Sequence, residues 1–161
     1  MAEMDEVAAE VAGLLLARGE SVAVAESAAG GLISAALLAV PGASAYYKGG
    51  VVVYTGEGKQ QLAGMTPEQL ALDPSATAPH TARLAQVIRD RLGASWGIAE
   101  TGAAGPTGNR YGDAPGHAAI AVAGPVPRTQ IIETGDRDRR RNMNAFTIAT
   151  LRLLRDALAG R

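Results

Sequence analysis

Ala25-Glu26-Ser27-Ala28-Ala29-Gly30-Gly31 joins a short β-branched run, residues 21–24, to an apolar stretch, residues 32–40. This spells a strand, a tight turn and a helix start, with one serine at the turn. The paired glycines allow close approach by backbone or ligand. A serine placed there sits among the N–H groups left free at the positive end of a helix. Such a turn can hold an anion or a developing oxyanion, with the N–H groups around Ala29, Gly30 and Gly31 as donors.

Downstream, Val51-Val52-Val53-Tyr54-Thr55-Gly56-Glu57-Gly58-Lys59 predicts a strand that empties into a loop carrying a tyrosine and a lysine. The chain has thirteen arginines and two lysines, Lys48 and Lys59. Arginine stays protonated, whereas a desolvated lysine can lose its proton and act as a base. Ser27 and Lys59, each just past a strand, therefore suggest a serine nucleophile with an amine base. Tyr54 either relays a proton and orients the lysine or simply packs. The alternative for Ser27 is a helix N-cap, and for Glu26 a loop or helix cap. Lys48 has no evident role. The absence of cysteine excludes disulfides, a thiol nucleophile and thiolate metal sites. His80, at a helix start, and His117, at a strand start, are isolated, so a metal site has little support.

Around this centre the periodicity predicts an α/β order. Helical spacing covers residues 3–17, with Met4, Val7, Val11, Leu14 and Leu15 as the stripe, and Gly19 ends it. Strand 21–25 and helix 28–39 follow, stopped by Pro41-Gly42. Strand 49–55 has a continuous apolar run that predicts burial on both faces. Thr66-Pro67-Glu68-Gln69 reads as a capped helix start. A longer helix spans about 79–92, and strand 96–99 leads into a glycine-rich loop, 101–116. Strands 117–123 and 129–134 flank a short turn, and a last helix opens at Gly135-Asp136. Helices separate the first three strands, so these run parallel with right-handed crossovers. The expected fold is one domain over residues 1–161. It is a three-layer α/β/α sandwich whose mixed five-stranded sheet has one strand antiparallel. Ligands of such sheets bind beyond the carboxyl ends of the parallel strands, where Ser27, the 54–59 segment and the loop from Thr101 converge.

Thr101, Gly102 and Gly105 belong to a small-residue loop that can present N–H groups to an anion or serve only as a turn. Arg137, Arg139, Arg140 and Arg141 open the last helix, where positive charge opposes the dipole. Arg137 and Arg141, four apart, either meet an anion such as phosphate or pair with Asp136 and Asp138. A formal net charge of −1 implies no general pull toward nucleic acid. No apolar run approaches the ~20 residues of a membrane span. The acidic, polar residues 1–6 do not read as a secretory signal, so the expected compartment is the cytoplasm.

These pieces resemble the C-terminal domain of the CinA competence/damage-inducible proteins, also found as a stand-alone nicotinamide-mononucleotide amidase. The matching motifs are Ala25-Glu26-Ser27 with Gly30-Gly31, Pro41-Gly42-Ala43-Ser44-Ala45, the segment from Tyr54 to Lys59, Thr101-Gly102 with Ala104-Gly105-Pro106, Pro115-Gly116 and Gly135-Asp136-Arg137. The resemblance spans almost the whole chain. It implies hydrolysis of the carboxamide of nicotinamide mononucleotide to nicotinate mononucleotide and ammonia, part of NAD recycling. Ser27 matches the family's nucleophile, Lys59 its base and Tyr54 its tyrosine; no metal or organic cofactor is implied. The expected partner is a small nucleotide, neither nucleic acid nor membrane; members of the family often self-associate into homo-oligomers, though this sequence does not fix the oligomeric state. Where the family usually has Cys-Thr after the serine, this chain has Ala28-Ala29, and Thr55-Gly56 replaces Ser-Asn. The alternatives are a related hydrolase of another amide or ester, and a degenerate domain that binds a nucleotide or partner without catalysis.

Overall fold

The computed structural model describes residues 2–161. Helix α1 (Ala2–Arg18) leads to strand β1 (Val22–Glu26), helix α2 (Leu32–Leu38) and strand β2 (Tyr47–Val52). A short turn α3 (Gly56–Gly58) runs into a π-helical turn, Lys59–Ala63. Helices α4 (Pro67–Leu72) and α5 (Ala78–Leu92) precede strands β3 (Trp96–Ala103), β4 (His117–Ala123) and β5 (Arg128–Glu133), and α6 (Arg139–Ala159) closes the chain. The sheet order is β2-β1-β3-β4-β5. β1 pairs in parallel with β2 and β3, while β4 is antiparallel to both β3 and β5. β4 is thus the single reversed strand, in agreement with the predicted sheet.

The strand sequences explain the layering. β1 reads Val-Ala-Val-Ala, β3 Trp-Gly-Ile-Ala and β4 Ile-Ala-Val-Ala at the centre of the sheet. With side chains alternating across the pleat, every large residue falls on one face and every small one on the other. Val22, Val24, Trp96, Ile98, Ile120 and Val122 pack with α1, α2 and α6. Ala23, Ala25, Ala99, Ala121 and Ala123 pack with α5 and the segment around Ala63 and Met65. The small face brings α5 very close. A Cβ added at Gly97 would lie 2.2 Å from the Ala85 carbonyl oxygen and 2.7 Å from Arg89 Cβ. Gly97→Ala must therefore lift α5 from the sheet, and is expected to cost about 3 kcal/mol, the upper range for overpacking. Urea unfolding followed by the fluorescence of Trp96, the only tryptophan, measures it.

Four expectations change. β2 is an edge strand with Lys48, Gly50 and Val52 exposed, because its other side has no neighbour; the Val51–Val53 run is not buried on both faces. The loop expected after Tyr54 is helical instead, since the Thr55 side chain accepts from Gly58 N and caps α3. β3 continues to Ala103, so Thr101 and Gly102 pair with Ala119 and Ala118 rather than opening a loop. α6 begins at Arg139 because the Asp138 side chain accepts from Arg141 N as N-cap; Arg137 lies outside the helix.

Candidate active site

The carboxyl ends of β1, β2 and β3 lie together, and the turn after β1 is built on two buried carboxylates. Glu26 accepts the N–H groups of Gly31 (2.9 Å), Ile33 (3.0 Å) and Ser34 (2.9 Å), and so caps α2. Glu100, from the neighbouring strand, accepts from Ser27 N (3.0 Å) and Ala29 N (2.9 Å). Gly30 N donates to Ser27 O at 3.0 Å. The N–H groups of Ala29, Gly30 and Gly31, expected to be free oxyanion donors, are thus all bonded internally. The carboxylates that accept from Ala29 and Gly31 compete successfully because they are buried and need these donors. Gly30 (φ +68°) and Gly31 (φ +101°) supply the left-handed backbone that the turn requires.

This turn leaves Ser27 Oγ without a hydrogen bond among the described residues. Ser27 is not the cap of α2, whose N-cap is Gly31. Its side chain faces a cavity of about 360 Å³ shared with Tyr54, Lys59, Ser75, Thr101, Gly102, Asn109, Arg110 and Tyr111. Lys59, only 4% exposed, enters from the first position of the π-helical turn. Its Nζ donates to Ser75 Oγ at 2.7 Å, and no hydrogen bond joins it to Ser27. Burial lowers its pKa to about 8; the Glu100 charge opposes this and Arg110 adds to it. At neutral pH a useful fraction of Lys59 is free amine.

Ser75 is held by a strained neighbour. Ala76 has φ +62°, the one positive φ outside glycine among the described residues. Its N–H donates to Thr101 Oγ1 (3.0 Å), and its carbonyl accepts from His117 Nε2 (2.8 Å). Thr101 Oγ1 is shared with Thr81 Oγ1 at 2.7 Å, so Thr101 acts through its position in the wall rather than as a free hydroxyl. His117 Nδ1 pairs with Glu133. Burial alone would lower the His117 pKa, but Glu133, the Ala76 carbonyl and Asp113 together raise it. His80 is buried with neither ring nitrogen partnered among the described residues. Burial and then the Lys59 charge drive its pKa down to about 4, leaving it neutral.

At the cavity mouth Tyr54 is 63% exposed, and its hydroxyl accepts from Arg139 Nη2 at 3.0 Å. Arg139 Nη1 also donates to Gly105 O at 2.6 Å, so Gly105 anchors an arginine rather than lining the cavity. Arg141 is occupied by Asp136 (2.7 Å) and Asp138 (3.8 Å) and does not face the site. Arg137 precedes α6 and does not line the cavity. The arginine that lines the cavity is instead Arg110, and Arg139 meets it only through Tyr54. Ser75 and Arg110 escaped the sequence reading. Thr77 with Pro79 is a recognisable N-cap and first-turn proline, and would have put Ser75 in the approach to α5.

The model of the CinA C-terminal domain matches residues 4–158. The chain belongs to that family. A CinA-like protein of Anaeromyxobacter sp. strain K is 41% identical over 156 residues, covering 96% of this chain and 38% of that protein. One from Thermosynechococcus vestitus is 38% identical, over 98% and 38%. This CinA domain thus spans about two fifths of the length of the curated relatives it matches. Its fold coincides with the crystal structure of a CinA superfamily protein from Klebsiella pneumoniae 700603, at TM-score 0.91 and 28% identity, covering 98% of this chain and 99% of that one. Competence damage-inducible protein A from Klebsiella pneumoniae MGH 78578 gives TM-score 0.90 at 30% identity, covering 97% of each. Among the described residues no helix is long and apolar enough to cross a membrane.

Proposed function

We propose that this domain is a Ser/Lys amidohydrolase that converts nicotinamide mononucleotide to nicotinate mononucleotide and ammonia. The observation that carries the proposal is the unpaired Ser27 hydroxyl sharing one cavity with a buried lysine whose pKa lies near 8. Ser27 Oγ attacks the amide carbonyl as Lys59 takes up its proton. Lys59 then passes that proton to the departing nitrogen as the C–N bond breaks, leaving an acyl-serine. Water adds to the ester, its proton goes to Lys59, and Ser27 recovers a proton as the acid leaves. Tyr54 accepts from Arg139 and keeps its own O–H proton, so it is the wall donor available to the carbonyl oxygen.

The reaction is tested by ammonia release from nicotinamide mononucleotide, with loss of that release in Ser27→Ala. Arg110 lines the cavity and is the cation offered to the 5′-phosphate. Arg110→Ala is expected to raise KM about tenfold with kcat within about twofold, the pattern of a lost binding contact. Steady-state kinetics decide; an unchanged KM removes the assignment. A second reading, a domain that binds the nucleotide without turnover, is favoured by the internally bonded N–H groups of the Ser27 turn. Calorimetric binding without ammonia release would establish it.

A further inference from the structure

Lys59 does not reach for Ser27. Its hydrogen bond among the described residues goes to Ser75 Oγ, while Ser27 Oγ has no partner and opens into the same cavity. The placement of Ser75 is maintained against a conformational penalty. A left-handed alanine costs about 1 kcal/mol or more, and Ala76 is held there from both sides by Thr101 and His117. Thr77 then caps α5, its Oγ1 also donating to Pro74 O at 2.8 Å. Three side chains thus fix a segment that meets Lys59 through the Ser75 hydroxyl. Strain retained at a site and clamped by several elements points to function.

A hydroxyl suits a relay because it donates and accepts at once. A carboxylate in its place would trap Lys59 as ammonium. We infer that Ser75 is a third working hydroxyl, through which the proton of Ser27 reaches Lys59. The inference rests on the hydrolase reading for its chemistry. As the Ser27 Oγ–C bond forms, the Ser27 proton moves to Ser75 Oγ, and the original Ser75 proton moves to Lys59 Nζ. The path reverses when the C–N bond breaks: Lys59 returns a proton through Ser75 and the leaving nitrogen takes one up. Ser75 is unchanged over the cycle, and no oxidant or co-reactant is needed.

The test compares Ser75→Ala and Ser75→Thr with the unmodified protein by two readouts. The first is the pH profile of ammonia release from nicotinamide mononucleotide. The second needs no substrate: the rate at which a fluorophosphonate labels Ser27, located by peptide mass spectrometry. A relay predicts that Ser75→Ala lowers both the high-pH plateau of kcat and the labelling rate by 10²-fold or more, the scale of proton-transfer catalysis. KM stays within about twofold, and Ser75→Thr restores most of the loss. If Ser75 only solvates the lysine, Ser75→Ala shifts the acid limb of the profile and leaves the plateau intact, which overturns the relay. Labelling on Ser75 in place of Ser27, or no labelling in the unmodified protein, also overturns it. Labelling at Ser27 that depends on Ser75, without ammonia release, sinks the nucleotide-amidase reading and leaves the relay standing.

Discussion

Replacing Lys59 by methionine is expected to make the domain inert and, at neutral pH, more stable. Ammonia release should fall by 10³-fold or more, because the Ser27 hydroxyl loses its base. The stability change follows from burial. Lys59 is 4% exposed, and desolvation lowers its pKa from the ordinary 10.5 to about 8. At 1.36 kcal/mol per pH unit, the folded state carries a penalty of about 3 kcal/mol for holding the ammonium. Because the folded pKa is the lower one, that penalty is complete below pH 8. It shrinks as pH rises from 8 to 10.5, where the unfolded chain also releases its proton. Methionine matches the length of the stem and carries no charge. It gives up the bond to Ser75, so the net gain at pH 7 is about 2 kcal/mol. Urea titrations at pH 7 and pH 10.5 should show the variant ahead at the first and, with only the lost Ser75 bond remaining, behind by about 1 kcal/mol at the second. Lower stability of the variant at pH 7 would mean that Lys59 is a structural tie instead of a strained functional group.

Much of this frame can be read from residue types. The β-branched run before Glu26 and the glycines after Ser27 announce strand, turn and helix, and the structure builds them there. Thr66 and Gln69 form the capping box their spacing spells. What local reading misses is set by neighbours distant in sequence. Thr101 and Gly102 look like loop residues, yet pairing with β4 extends the strand through them. A Cβ at Gly102 would come within 2.7 Å of the His117 carbonyl, so this glycine serves packing between strands. The Val51–Val53 run has the composition of a central strand but lies at the edge, where composition is silent about the missing neighbour.

The site divides in the same way. Ser27, Lys59 and Tyr54 can be picked out because each follows a strand and has a chemistry its neighbours lack, and all three meet at one cavity. The arginine cluster resists because the start of α6 determines which guanidinium faces inward. Asp138 rather than Gly135 sets that start. The register then turns Arg139 toward Tyr54 and gives Arg141 to Asp136. The N–H groups of the Ser27 turn depend on Glu100, seventy-three residues away. No local pattern reveals that they are already taken.

Glu100 supplies the second large expected effect. Its carboxyl is fully buried, one oxygen holding Ser27 N and Ala29 N and the other lacking any partner among the described residues. Burial pushes its pKa up to about 7; the N–H groups of Ala29, Ser27 and Ala28 oppose this, and the Glu26 charge adds to it. A raised folded pKa contributes stability that is complete below the ordinary 4.5 and is lost as pH climbs through about 7. Glu100→Gln keeps one acceptor oxygen for the turn and never ionises. Between pH 4.5 and pH 8 its stability relative to the unmodified protein should therefore shift by about 3 kcal/mol in the variant's favour, at 1.36 kcal/mol per pH unit. His80, whose lowered pKa acts with opposite sign between 6.5 and 4, is present in both proteins and drops out of the difference. The same substitution removes the negative charge that supports the Lys59 ammonium. The acid limb of kcat/KM should accordingly move below pH 8, and activity at pH 7 should rise a few-fold. An acid limb that stays in place while the stability difference appears would show that Glu100 holds the Ser27 turn without governing the lysine.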